Sequence, residues 1–278
     1  MPEFPEVYTI VSDLNKIFSG KKIVSVKVVD PKLAKPSPKD FETLVGNKVV
    51  SVFQVGKNIV FSLSGGNFLL FHLRMTGRLL LSLEDRFKNS SCIVLGFENA
   101  TLFFTEVRKF GYGEILSPNK FSQFKQKLGQ NPFEISDDDF YKKVKSKNTI
   151  CKRVLLDQEV IAGIGNIYAS EGLFFSKLNP NTKTKDITKE NVVNLLNSIK
   201  MVLEDGIKHR GSTLPDESYV DVYGKAGIHQ NFFAVYGRAK KPCIKCKNTI
   251  VEERISGRST FYCPFCQPLK SNTEGLLV

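Results

Sequence analysis

Four of the six cysteines in this chain fall in one stretch, Pro242 to Gln267, as two Cys-x-x-Cys pairs separated by sixteen residues. Cys243 and Cys246, with Cys263 and Cys266, have the spacing of a structural zinc site made of four thiolates. Such a site is closed: it has no open position for water and gives shape rather than chemistry. A redox dithiol uses one such pair, so four thiols fit a metal better. Between the pairs, Thr249 to Ile255 and Arg258 to Tyr262 have strand composition, and Ser256-Gly257 is a hairpin turn. Arg258 thus stands at a hairpin tip, either as a plain surface arginine or as a cation aimed by a metal-clamped ribbon. A second reactive group lies in the opening Met1-Pro2-Glu3-Phe4-Pro5-Glu6. Once Met1 is removed, Pro2 carries a free secondary amine, and an α-amino group has a pKa about two units below that of lysine. It can attack an electrophilic carbon and form an iminium, with Glu3 as an adjacent proton donor. The same residues also make an ordinary lead-in to a helix.

The elements that must position these groups follow from periodicity. From Pro5, apolar residues at Val7, Ile10, Val11, Leu14, Ile17 and Phe18 mark one helix face, with Gly20 as the stop. Pro2 and Glu3 therefore precede the helix. Short strand-like runs come next: Lys22 to Val29, Lys48 to Val55, Asn58 to Leu63, Asn67 to Leu73, Arg78 to Leu83, Cys92 to Phe97, Thr101 to Thr105 and Tyr112 to Leu116. Their spacing is that of a sandwich or barrel. Lys57 sits on the turn between two of them, where a lysine is usually just solvated. Arg108-Lys109-Phe110-Gly111 joins two others and sets a cation beside an aromatic ring, as a wedge into stacked bases requires, or as an exposed turn with one buried Phe provides. After Phe121 the pattern turns helical. Gly163 and Gly165 form a tight turn, and Asn166 is expected as the N-cap of a helix Ile167 to Phe175, whose N-terminus suits a phosphate. Ile187 to His209 is a long amphipathic helix, and Gly211 to Tyr236 lacks periodicity. Cys92 and Cys151 are expected as core thiols.

Composition narrows the partner. Forty basic residues against twenty-eight acidic ones leave a net charge of +12 in 278 residues. That excess points to a polyanion, nucleic acid before anionic membrane. No apolar run reaches the roughly eighteen residues of a membrane span, and no secretory core follows Met1, so a reducing cytoplasmic setting is expected.

Taken together, the chain resembles the formamidopyrimidine-DNA glycosylase family. The resemblance runs through Pro2-Glu3-Phe4-Pro5-Glu6, His72-Leu73-Arg74-Met75-Thr76-Gly77, Arg108-Lys109-Phe110-Gly111, the segment Leu155 to Phe174, and Gly257-Arg258-Ser259-Thr260-Phe261-Tyr262. It implies an α+β fold with two domains. One is an N-terminal β-sandwich with flanking helices; the other is a C-terminal helical helix–two-turn–helix domain bearing a four-cysteine zinc β-hairpin. We place the boundaries at residues 1–133, 134–236 and 237–278. The implied partner is double-stranded DNA containing an oxidised base or abasic site, bound by a monomer in the bacterial cytoplasm and associated with the nucleoid. The implied activity is removal of oxidised purines (8-oxoguanine and formamidopyrimidines) followed by strand cutting through β,δ-elimination.

By this resemblance Pro2 attacks C1′ and Glu3 assists; Lys57 serves β-elimination and Arg258 δ-elimination, both also holding phosphates. Asn166 holds the flipped nucleotide's phosphate, and Met75, Arg108 and Phe110 fill the emptied stack. Lys147, Lys152 and Asn89 complete the expected DNA contacts. The metal is one structural Zn²⁺ on Cys243, Cys246, Cys263 and Cys266. Three positions depart from the family pattern: Gly129-Gln130-Asn131 lacks the frequent acidic residue before Pro132, Asn89 stands where histidine is common, and His229 replaces a usual phenylalanine. The nearest rival is the sister endonuclease VIII-like activity on oxidised pyrimidines. Met75, Arg108 and Phe110 and the long loop before Tyr236 favour the purine branch. A zinc-containing DNA binder without catalysis is a further alternative, against which Pro2, Glu3, Lys57 and Arg258 argue together.

Overall fold

The computed structural model describes residues 2–83, 90–215 and 219–269. It divides into two units, Met1–Lys127 with Asp205–Gln230, and Leu128–Glu204 with Asn231–Val278. Among the described residues no helix is long and apolar enough to cross a membrane.

The first unit begins with α1 (Phe4–Phe18), which Pro5 starts and whose N-cap is Glu3. Val7, Ile10, Val11, Leu14 and Phe18 are buried at helical spacing, as the sequence pattern requires. Glu6, Thr9 and Asp13 are buried as well, so a second, polar stripe of the helix is covered. The strands are β1 (Ile23–Val28), β2 (Ala34–Lys35), β3 (Val49–Val55), β4 (Asn58–Leu63), β5 (Phe68–His72), β6 (Arg78–Leu80), β7 (Ser91–Phe97), β8 (Ala100–Thr105) and β9 (Tyr112–Leu116). β2 was not evident from the sequence, where prolines at 31, 36 and 38 mask it between two short 3-10 turns. Four strands form one sheet in the order β1-β7-β8-β6, and five form another in the order β2-β9-β5-β4-β3. All pairings are antiparallel except β2 with β9.

Alternation along β4 sorts its residues to two faces. Ile59, Phe61 and Leu63 join α1 and residues of β5, β7 and β8 in the main core. Val60 points the other way, toward Leu70, Leu116 and Phe121. Phe121 belongs to α2 (Pro118–Gln126), and its ring stacks on Phe68 at 4.0 Å. The returning segment 205–230 is part of this unit: Tyr219 and Val222 enter the main core, and the Leu81 N–H donates to the Val222 carbonyl at 2.9 Å.

The second unit carries α3 (Asp137–Ser146), α4 (Cys151–Leu156), α5 (Asn166–Phe175) and most of α6 (Lys189–Lys208). α3 shows why such a polar segment is helical. Ser136 caps it by accepting from the Asp139 N–H at 3.1 Å, three aspartates fill its first turn, and Lys143 and Lys145 lie in its last. α6 packs on α5 through Gly172, where a Cβ would come within 2.8 Å of Ile199 Cγ1. The last described element is a hairpin, β10 (Val251–Ile255) and β11 (Arg258–Tyr262).

Candidate active site and nucleic-acid interface

In the first unit the start of α1 is held by one buried carboxylate. Glu6 Oε2 accepts from the Glu3 N–H at 2.9 Å, and Oε1 accepts from the Ser212 N–H at 2.8 Å. Glu3 and Glu6 form a capping box, and both are almost fully buried. Gly211 lies so close to Glu6 that a Cβ there would meet Glu6 Cγ at 2.8 Å, and its φ of +79° already demands glycine. Further along the helix, Arg210 Nη2 bridges Asp13 Oδ2 at 2.5 Å and Asp221 Oδ2 at 2.6 Å. Pro2 therefore leaves a helix end that is immobilised on both sides.

Lys57 occupies the β3–β4 turn and is 7 % exposed, so it is not the solvated turn lysine that its type suggests. Gly56, at φ +58°, takes the first central position of the two-residue loop. Gln54 Nε2 donates to the Gly56 carbonyl at 2.8 Å and to the Phe4 carbonyl at 3.2 Å, which ties the Lys57 turn to the start of α1. His72, paired opposite Asn58, has its pKa pushed down to about 4 by burial first and then by the charges of Arg74 and Lys57. Its neutral Nδ1 accepts from the Arg74 N–H at 3.0 Å.

Met75, Arg108 and Phe110 come from two loops and meet. Arg108 Nη1 lies 3.3 Å from Met75 Sδ, and its guanidinium carbon is 5.0 Å from the Phe110 ring centre. Met75 and Phe110 are 45 % and 56 % exposed, a large cost for a methionine and a phenylalanine in a chain with a well-filled core. Asn89 lies outside the described residues.

In the second unit the structure corrects the expectation for Asn166. The N-cap of α5 is Gly165, in extended conformation, and Asn166 is the first helical residue. Its side chain reaches instead to the hairpin, donating from Nδ2 to the Ser259 carbonyl at 2.8 Å. Asn166 and the exposed Arg258, the neighbour of Ser259, are thereby brought together. Lys152 is also corrected. At 0 % exposure it cannot reach a phosphate; its Nζ donates to the Asn166 carbonyl at 3.0 Å and to Ser170 Oγ at 2.7 Å, so it supports the helix start from beneath. Lys147 is at the surface but pairs with Asp157 at 2.9 Å and faces Glu159 at 3.8 Å. The loop before α5 is organised by Gln158, whose Nε2 donates to the Ile164 carbonyl and whose Oε1 accepts from the Gly163 N–H. Gln130 pairs with Ile161 behind this loop, which locates the first of the three family departures there. The third, His229, is in the first unit, buried between Asp205 Oδ2 at 3.2 Å and Ser212 Oγ at 3.3 Å. Two polar partners thus take the place of apolar packing.

The four hairpin sulfurs all lie within 4.8 Å of one another, with Cys246 to Cys263 at 3.4 Å and Cys243 to Cys266 at 3.9 Å. Tetrahedral zinc with Zn–S bonds of about 2.3 Å requires sulfurs about 3.8 Å apart, so the quartet fits one structural Zn²⁺. N–H groups of Lys245 and Cys266 point at the Cys243 and Cys263 sulfurs at 3.4 Å, as thiolate ligands need. The base of the ribbon packs on Phe174, Ala234 and Val235. The backbone N–H groups of Ala234, Val235 and Tyr236 are all taken by the buried carboxylate of Glu171 at 2.8 to 3.0 Å.

Sequence reasoning missed Glu6 and Glu171 as site-building residues. For Glu6 a signal existed: Glu6, Thr9 and Asp13 recur at helical spacing on a face that the apolar pattern leaves out.

Comparison with known proteins agrees with this geometry along the whole chain. Residues 1–113 match the family described as formamidopyrimidine-DNA glycosylase N-terminal domain, residues 128–218 its H2TH domain, and residues 240–269 the zinc finger found in FPG and IleRS. A formamidopyrimidine-DNA glycosylase of Pelotomaculum thermopropionicum is 36 % identical over 97 % of this chain and 100 % of its own length. The structure of MutM (Fpg) from Thermus thermophilus superposes with a TM-score of 0.87 at 31 % identity, covering 97 % of this chain and 100 % of that one. A Lactococcus lactis Fpg mutant in complex with DNA containing Fapy-dG gives a TM-score of 0.87 at 29 % identity over 96 % of this chain and 100 % of that one. With a sandwich unit, a helix–two-turn–helix segment and a four-cysteine ribbon matched in order over nearly its full length, this chain belongs to the formamidopyrimidine-DNA glycosylase family.

Proposed function

We propose that this chain is a bifunctional DNA glycosylase and abasic-site lyase of base-excision repair that acts on oxidised purines in duplex DNA. The observation that carries the chemical reading is the start of α1, where buried Glu6 fixes the backbone of Glu3 and so delivers the Pro2 nitrogen from a rigid point. The Pro2 amine, freed of Met1, attacks C1′ of the flipped nucleotide. The bond to the base breaks as the Pro2 N–H proton passes to the departing base. The C1′–O4′ bond then breaks as Glu3 gives a proton to O4′, which opens the sugar ring and leaves an iminium between Pro2 and C1′. Lys57, held near α1 through Gln54, serves β-elimination, and Arg258 serves δ-elimination from the hairpin tip. The zinc ion supplies shape alone. Asn166 and Arg258 bind the phosphates flanking the lesion, with Lys152 acting through Asn166. Met75, Arg108 and Phe110 enter the stack vacated by the flipped base.

In this reading residues 1–133 carry the chemistry, 134–236 grip the backbone, and 237–278 present Arg258. The enzyme works as a monomer in the bacterial cytoplasm, associated with the nucleoid, as its net charge of +12 favours. The test uses duplexes carrying 8-oxoguanine or thymine glycol, with borohydride as the trap. Faster adduct formation and cleavage on 8-oxoguanine is expected. A preference for thymine glycol would assign the endonuclease VIII-like activity, and no adduct on either would leave a binding protein.

A further inference from the structure

The loops that carry Met75, Arg108 and Phe110 share one carboxylate. Glu106 is 2 % exposed; its Oε1 accepts from the Arg108 N–H at 2.9 Å and from the Thr76 hydroxyl, and its Oε2 accepts from the Gly111 N–H at 2.8 Å. Thr76 Oγ1 also accepts from the Arg108 N–H at 3.3 Å, which closes the network. Each anchored residue is either a member of the triad or next to one: Thr76 follows Met75, and Gly111 follows Phe110. A second brace comes from outside. Lys109, at φ +58° between Arg108 and Phe110, pairs with Asp30 at 2.9 Å. Space is also restricted, since a Cβ on Gly111 would lie 2.7 Å from Glu106 Oε2 and 3.0 Å from the His72 carbonyl.

We propose that Glu106 is the positioning residue of the base-stack wedge: its carboxylate fixes the two loops in register so that Met75, Arg108 and Phe110 enter the duplex as one rigid unit. This rests on the reading of those three as the residues that fill the stack. An ionised carboxylate only accepts hydrogen bonds, and here three donors converge on it. A glutamine turns one oxygen into an NH₂ donor, so whichever way the amide is flipped a backbone N–H, that of Arg108 or that of Gly111, faces a donor and loses its anchor, while the Thr76 hydroxyl can turn to accept.

The test is single-turnover excision of paired 8-oxoguanine, beside cleavage of a duplex with a preformed abasic site. Losing a hydrogen bond to a charged acceptor in a buried network predicts that Glu106→Gln slows excision of the paired lesion by roughly 10- to 100-fold. The loss on the abasic site, which needs no base to be expelled, is expected to be much smaller. In a Phe110→Ala background Glu106→Gln is expected to add little, because both act through the same wedge. Thr76→Val, which removes a hydroxyl and keeps the shape, gives the same selectivity with a smaller loss and serves if Glu106→Gln does not fold. Excision at the native rate by either soluble variant, equal slowing on both substrates, or full additivity with Phe110→Ala would overturn the assignment of Glu106. If Phe110→Ala itself slows both substrates equally, the wedge reading beneath it fails instead.

Discussion

In the proposed mechanism the start of α1 and the tip of the C-terminal hairpin each present a nitrogen to the chemistry, and they are held by different means. The α1 end is fixed by contacts that span the sequence: Glu6 meets Ser212 across 206 positions, and Asp13 meets Arg210 across 197. The hairpin tip is fixed by four thiolates inside one short stretch, and its turn residues Ser256 and Gly257, at φ +51° and +75°, meet a two-residue loop's need for positive φ. One end therefore depends on contacts from across its whole unit, while the other depends on a local metal site with support from Asn166 and Phe174 of its own unit. The difference makes the hairpin the more separable of the two.

The largest expected effect is from removing the metal. Zinc binding contributes on the order of 10 kcal/mol to sites of this kind. Chelation, or Cys263→Ala, is expected to unfold the ribbon and weaken DNA binding sharply while the sandwich persists. Amide exchange reads this directly: protection should vanish in β10 and β11 and remain in β4 and β5. Simultaneous loss in both would mean that the ribbon is not local. Next comes Gly211→Ala, which forces an L-residue into a left-handed conformation against Glu6. Strain and clash together should cost about 2 kcal/mol or more in denaturant unfolding of the first unit, and slow excision as well. An unchanged midpoint would show that the Glu6–Gly211 approach does not hold α1.

An effect that is absent at neutral pH and develops only in acid follows from His72. Its folded pKa of about 4 lies below the unfolded value near 6.5. Between these values the unfolded chain binds the extra proton, so stability falls as pH drops from about 6.5 toward 4 and is unaffected by this group above that window. The shift corresponds to about 3 kcal/mol once titration is complete. His72→Gln should flatten that part of the stability profile, and unchanged acid sensitivity would remove His72 as its source.

The same contrast explains what could be read in the sequence. The thiol spacing, the hairpin turn, the apolar stripe of α1 and nearly every strand are short-range patterns, and the structure contains them close to where the pattern sets them. Lys152 and Asn166 were harder because a cationic cluster or a capping residue says nothing about what lies above it. Lys152 turned inward beneath the α5 start, and Gly165 took the cap that Asn166 suits by type. Glu6 and Glu106 were hidden for a related reason: a glutamate is ordinarily solvated, and only tertiary contacts make it an anchor.

The claim that joins the two ends is that the Pro2 nitrogen is the nucleophile and that α1 exists to present it. An acylated proline nitrogen is an amide whose lone pair is delocalised, so it cannot form an iminium with C1′. The direct measurement is borohydride trapping on one 8-oxoguanine duplex with three proteins: the native start, a form with an uncleaved N-terminal extension, and Glu3→Gln. The extended form should bind the duplex through Lys57, Asn166 and Arg258 yet form no adduct, and Glu3→Gln should lose base excision more than cleavage of a preformed abasic site. Trapping by the extended form at the native rate would contradict the account and move the nucleophile to another amine, with Lys57 the first to examine.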